Sequence, residues 1–181
     1  MLKKIVKSMI AVGFACTLVV PVLAEDQFYG GLGFVFLDYS EEGVDEDLSL
    51  TAIYGRIGSQ FNENFSGEIR AGFGVGDDSV DILGIDVDLE LDTFFGAYLR
   101  GGIPVSETFS PYAVVGFTRG ELTASASGFG SESESETDVS FGLGADITAN
   151  DDVVLNLEYM NYLDKDGVEI DGFAFSVVTT F

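Results

Sequence analysis

Histidine and tryptophan are absent from the 181 residues, cysteine occurs once, proline three times, and only 8 lysines and arginines stand against 31 aspartates and glutamates. Each shortage closes a class of function. Without histidine the commonest general base and metal ligand are missing, and no Ser-His-Asp device can be assembled. Eight basic residues cannot build the clustered cationic surface that a phosphate backbone requires, so a nucleic-acid partner is excluded. A single cysteine forms no internal disulfide. Disorder does not explain the acidity, because 46% of the residues are hydrophobic and 16 Phe and 7 Tyr are spread along the chain. The length suits one ordinary domain.

The first 24 residues have the form of a secretory signal peptide. Lys3, Lys4 and Lys7 make a positive start, Met9 to Leu23 is uncharged, and Val22 and Ala24 occupy the -3 and -1 positions of a plausible cleavage site before Glu25. The uncharged run is shorter than the roughly 20 residues of a spanning helix, and Pro21 interrupts it. Gly13 and Phe14 do not fit a lipoprotein motif ahead of Cys16. Cleavage would leave residues 25–181 with no cysteine, and 31 acids against Arg56, Arg70, Arg100, Arg119 and Lys165, a net charge of -26. A chain so acidic is best tolerated where salt screens it.

From residue 26 onward no helical stripe of useful length appears. Alternation with period two does. Phe65, Gly67, Ile69, Ala71, Phe73 and Val75 alternate with Ser66, Glu68, Arg70, Gly72 and Gly74; Val87, Leu89, Leu91, Thr93, Phe95, Ala97 and Leu99 alternate with Asp88, Glu90, Asp92, Phe94, Gly96, Tyr98 and Arg100; Val139, Phe141, Leu143, Ala145 and Ile147 repeat the pattern. Eight such segments are expected, at 27–37, 48–61, 65–76, 87–101, 109–121, 137–148, 153–162 and 170–181. Connections after the even-numbered segments are tight: Asn62 to Asn64, Pro104 to Thr108 and Ala149 to Asp152. The others are longer and acidic: Asp38 to Asp47, Asp77 to Asp86, Leu122 to Glu136 and Leu163 to Glu169. An even number of strands with short turns at one end and long loops at the other is the plan of an all-β, eight-stranded antiparallel up-and-down transmembrane β-barrel.

A soluble barrel with an apolar lumen is the alternative arrangement. The polar face, with Glu68, Arg70, Glu90, Arg100 and Glu158 beside many glycines, suits a narrow lumen better than a solvated exterior. Phe61, Phe65, Phe109, Tyr112 and Phe181 fall near the short-turn ends, where an interfacial aromatic girdle belongs. The facing of the first strand stays open, since Phe28, Leu32, Phe34 and Phe36 alternate with Tyr29, Val35 and Leu37 and both faces are apolar.

The signal peptide, the opening Phe28-Tyr29-Gly30-Gly31-Leu32-Gly33-Phe34, the stretch Pro111-Tyr112-Ala113-Val114-Val115-Gly116-Phe117 and the last strand, with Phe173, Phe175, Val177 and Phe181, resemble the small outer-membrane β-barrel family that includes the OmpA and OmpX barrels. Thr179 departs from its terminal pattern, standing where that family has an apolar residue. With Phe181 last, the barrel-only OmpX-like form is the expected analogue. The resemblance implies a monomer in the cell outer membrane, in contact with lipid and lipopolysaccharide and with the barrel-assembly machinery during biogenesis.

An eight-stranded barrel is just wide enough for side chains to fill. Arg56, Arg70 and Arg100 among Glu68, Asp88, Glu90, Asp92, Asp138, Asp146 and Glu158 are therefore expected to form a packed polar network. Glu68 with Glu90 is a candidate carboxylate pair for acid and base work, but lumen carboxylates are more often partners of arginine. In the long connections Asp38, Glu41, Glu42, Asp45, Glu46 and Asp47, then Asp77, Asp78, Asp81 and Asp86, then Ser131 to Glu136, offer hard oxygen ligands for calcium or magnesium, against the simpler reading of a solvated, self-repelling surface. Asp164-Lys165-Asp166-Gly167 reads as a hairpin turn with Gly167 at positive φ. No catalytic, cofactor or metal residue is assigned. The expected role is a non-enzymatic structural or surface-contact protein; a narrow porin-like channel is the alternative, and a lipid-modifying outer-membrane enzyme a remote one.

Overall fold

The computed structural model describes residues 27–41, 48–82, 85–126, 130–165 and 167–181, and the side chains of all of these except 77–87 and 126. Residues 1–24, expected to be a signal peptide, and residues 42–47 of the first acidic connection lie outside the described residues. Nine strands follow one another: β1 Gln27–Glu41, β2 Leu48–Gln60, β3 Phe65–Gly74, β4 Asp77–Ile82, β5 Ile85–Gly102, β6 Phe109–Ala126, β7 Gly130–Asn150, β8 Val153–Lys165 and β9 Val168–Thr180. Each pairs antiparallel with its sequence neighbour, except that β3 and β4 both lie along β5. β9 returns to β1 with Phe34 opposite Phe175, which closes the ring. The ring has eight staves, because β4 continues the line of β3 beyond Val75 and Gly76.

The three tight turns share one device. Asn62 Oδ1 accepts the amides of Asn64 and Phe65 at 2.9 and 3.0 Å, Ser106 Oγ those of Thr108 and Phe109 at 3.3 and 3.1 Å, and Asn150 Oδ1 those of Asp152 and Val153 at 3.0 and 3.1 Å. A short polar side chain that bonds the backbone two and three residues on reverses the chain without help from the rest of the fold. At the other end, Lys165 pairs with Val168 across a turn in which Gly167 takes φ 85°, as the sequence leads one to expect. Phe181 is tied down as well, its amide donating to the Phe28 carbonyl at 3.0 Å.

Alternation settles the faces. In β1, Phe28, Leu32, Phe34 and Phe36 point outward, while Tyr29, Val35 and Leu37 are buried in the lumen. Phe95, Leu99, Val115, Phe117, Phe141, Leu143, Phe173 and Phe175 continue the outward apolar surface round the barrel. Along β6 this surface runs from Phe109 to Phe117, which at about 3.3 Å per residue and a tilt near 40° is a belt about 20 Å tall, close to that of a membrane barrel. Phe61, Phe65, Phe109 and Phe181 lie at its short-turn rim, as expected. Tyr112 does not: it is in phase with Val114 and points inward.

The expected boundary between strand and loop is corrected at the opposite end. Strands β5, β6 and β7 run on past the belt, with Gly120 opposite Glu136, Leu122 opposite Glu134 and Ala124 opposite Glu132. Ser131 to Glu136 is therefore strand, and its alternation is structural: the serines face out and the glutamates face in.

Candidate functional site

The lumen is divided in two. Its short-turn half is filled by an ionic network centred on Glu68, which receives Arg56, both Nε (2.7 Å) and Nη2 of Arg70, and the Tyr29 hydroxyl at 2.9 Å. Arg70 uses its other face on Glu158, with Nη1 on one oxygen and Nη2 on the other at 2.8 Å. Glu158 also accepts the Tyr112 hydroxyl at 2.7 Å. Asn156 links the parts: its amide nitrogen donates to Tyr112 Oη (2.6 Å) and Asp146 (2.7 Å), and its oxygen accepts from Arg56 at 3.0 Å. Arg100 bonds Asp146 at 2.7 Å, approaches Glu68 at 3.8 Å and lies over the Tyr112 ring at 3.7 Å.

Three guanidiniums thus meet three carboxylates, and charge balances where desolvation would otherwise be most costly. The expectation of a packed network holds for Arg56, Arg70, Arg100, Glu68, Asp146 and Glu158. It does not hold for Asp88, Glu90, Asp92 and Asp138. Asp92 accepts Thr123 Oγ1 at 2.6 Å, and Asp138 accepts the amides of Val139 and Asp164 at 2.8 and 3.0 Å. Glu90 is exposed on β5, eight residues beyond Tyr98, the register partner of Glu68, or roughly 26 Å along the strand. Glu68 and Glu90 therefore make no acid–base pair.

The neutral members of the network were not singled out from the sequence. Tyr29, Tyr112, Asn156 and Ser176, whose hydroxyl accepts from Arg56 at 3.2 Å, carry no charge, and their only signal is strand phase. Glycine is the other part of the device. A Cβ built on Gly58 would run into the Tyr29 ring, and one on Gly144 into the Tyr112 ring. The tyrosines lie flat on bare backbone, which makes room for three arginines in so narrow a barrel.

Above the network a second set of bonds crosses four strands. Tyr98 Oη meets Thr118 Oγ1 at 2.7 Å, Thr118 meets Ser140 Oγ at 2.6 Å, and Ser140 donates to the Tyr162 carbonyl at 3.0 Å. Because the Ser140 proton is committed to that carbonyl, Thr118 donates to Ser140 and Tyr98 to Thr118.

Beyond this layer the lumen turns largely apolar, where the expected network would have continued through Asp92, Glu90 and Asp88. The cause is a pair of β-bulges. Leu91 faces Leu122 and Thr93 faces Glu121, so Asp92 is the extra residue. The inward sequence Tyr98, Gly96, Phe94 would continue to Asp92, Glu90 and Asp88; the bulge changes phase and turns Leu91 and Leu89 inward instead. Leu91, expected to face lipid, is 5% exposed. In β8 the register shift between Asn161 and Leu163 makes Tyr162, already inward in phase with Met160, the extra residue and brings Leu163 to the lumen wall beside it. The result is a chamber of about 560 Å³ lined by Val35, Leu50, Leu91, Phe94, Tyr162 and Ile170, among others, with Glu132, Glu134 and Glu136 on its β7 wall. A smaller cavity of about 240 Å³ lies at the short-turn mouth, on the other side of the ionic network, against Asn64, Arg100 and Asp146. Among the described residues no group of three or more acidic side chains is arranged to hold a metal ion.

Solved structures of similar fold include Ail, the attachment invasion locus protein of Yersinia pestis, crystallised with the heparin analogue sucrose octasulfate: 19% identity, 87% of this chain and 100% of that one covered, TM-score 0.62. Neisserial surface protein A is similar at 12% identity, with 85% and 97% covered and TM-score 0.62. At these identities the likeness is one of fold. Among curated protein sequences none matches this chain. Residues 9–181 match the family described as the outer membrane protein beta-barrel domain. The match takes in all eight staves, the ionic network and the apolar belt, and the chain belongs to that family of outer-membrane barrels.

Proposed function

We propose that the protein is a non-enzymatic, non-conducting barrel of the outer membrane, exported with residues 1–24 removed, that serves as a structural and surface-contact component of the envelope. The observation that carries this reading is the ionic network. Arg56, Glu68, Arg70 and Glu158 are almost wholly buried and join β2, β3 and β8 through the middle of the lumen, so the centre is occupied by mutually bonded side chains and not by water. Such a plug stiffens the barrel and removes an ion path. Membrane lipid and lipopolysaccharide are then its lateral neighbours, and the barrel-assembly machinery its partner during folding.

The contact surface is the extension of β5, β6 and β7 beyond the belt. Ail was crystallised with a sulfated heparin analogue. In this chain Glu121, Glu132, Glu134 and Glu136 stand on the β6–β7 hairpin, with Arg119 its one basic residue among those described. A polyanion would be repelled and a cationic partner attracted.

Attachment of cells displaying the protein to polylysine-coated and heparin-coated surfaces tests this, with and without replacement of residues 120–136 by a short turn. Adhesion to polylysine alone, lost with the hairpin, is expected. Equal attachment with and without the hairpin would overturn the surface-contact reading.

A further inference from the structure

We propose that the apolar chamber on the loop side of the ionic network is a binding site for a small amphiphilic cation, a molecule with one aliphatic body and one ammonium-type head. Its volume of about 560 Å³ lies within the range of small-molecule pockets, roughly 300–1,000 Å³. Its floor and lower walls are Leu50, Phe94, Leu91 and Ile170, which offer no charge and suit an aliphatic chain. The wall above them is acidic. Alternation in β7 directs Glu132, Glu134 and Glu136 into the chamber together, and Lys165 Nζ, on the same wall, bonds Glu136 at 2.8 Å. Three carboxylates against one ammonium give this rim a charge of -2.

The two halves of the site arise from independent features. The bulge at Asp92 turns leucines inward where acids would otherwise stand, while the Ser-Glu alternation of β7 turns acids inward one layer higher. A neutral hydrophobe would use only the first half, and a fatty-acid anion would be opposed by the second. A cationic head attached to an aliphatic body satisfies both. Tyr39 of β1 also lines the chamber, and its hydroxyl donates to Glu41 at 3.2 Å. The ionic network closes the chamber from below, and the site captures its ligand without passing it on.

Methyl NMR titration of the full barrel in zwitterionic lipid nanodiscs tests the proposal, with hexyltrimethylammonium, hexanesulfonate and hexanol as probes. Saturable shifts at Leu50, Leu91 and Ile170 are expected for the cation, with an affinity on the order of tenfold above that of the sulfonate, equivalent to about 1.4 kcal/mol. The double substitution Glu132→Gln/Glu134→Gln, placed above the belt and away from the ionic network, is expected to remove most of that preference and leave hexanol unchanged. Added salt should weaken the preference in the unaltered protein as well. Absence of saturable shifts, equal affinity for the sulfonate, or a cation preference insensitive to both the double substitution and salt would overturn it.

Discussion

Arg70 of β3 grips both carboxylate oxygens of Glu158 of β8 across the lumen, two residues 88 apart in sequence joined by a two-pronged bond that no backbone ladder supplies. Arg70 simultaneously holds Glu68, so one guanidinium serves the two carboxylates at the centre of the barrel. Removing either partner strands a buried charge.

The substitution Glu158→Gln should therefore cost about 3–5 kcal/mol, the usual loss when one member of a buried ion pair is neutralised. Urea unfolding of the protein refolded in lipid vesicles measures this. A loss within 0.5 kcal/mol, the ordinary scatter of surface changes, would show that the network is not load-carrying at that position.

The two faces of the wall should respond oppositely to position. Phe95→Arg and Phe141→Arg, outward in the belt, are expected to cost about 2–4 kcal/mol near the midplane. Glu134→Ala, above the belt on β7, should change stability by less than about 0.5 kcal/mol. The same unfolding experiment separates them, and equal tolerance would mean that the faces are reversed.

Glycine substitutions test the seating of the tyrosines. Gly144→Ala places a methyl group in the Tyr112 ring and should cost about 1–3 kcal/mol by overpacking. At outward Gly55 the nearest atom to a new Cβ is 3.8 Å away, so Gly55→Ala should be nearly silent. A similar loss at both glycines would point to backbone propensity and not to the ring contact.

The tight turns should each depend on one side chain. Asn62→Ala, Ser106→Ala and Asn150→Ala each remove two backbone partners and are expected to lower stability by about 0.5–1.5 kcal/mol. Unfolding midpoints of the three variants check this, and unchanged midpoints would mean that the strands alone set the turns.

What the sequence made legible was what period and turn chemistry encode. The eight staves, their tight turns, the Gly167 turn and the six charged members of the network all follow from alternation and from residues such as Asn62 and Asn150 that act on their own neighbourhood, whereas the long connections prove to be mostly strand. The bulges escaped because an extra residue leaves no local mark: Leu91 and Asp92 look like any other alternating pair until Leu122 and Glu121 are seen opposite them. In sequence Tyr112 fits the girdle, because an aromatic near a strand end suits both rim and lumen; its phase with Val114 and the bare Gly144 opposite it decide for the lumen. The apolar chamber was hidden for the same reason, since its walls depend on two phase changes that composition does not reveal. The Ser-Glu run reads as loop in sequence because charge density dominates its appearance, whereas pairing with 120–125 makes it strand.

The central claim is that the ionic network of Arg56, Glu68, Arg70, Glu158, Arg100 and Asp146 closes the lumen. Single-channel recording of the purified, folded barrel in a planar lipid bilayer tests it most directly. A flat trace at all voltages that the bilayer tolerates is the predicted result; reproducible open steps of constant conductance, proportional in number to the protein added, would contradict it.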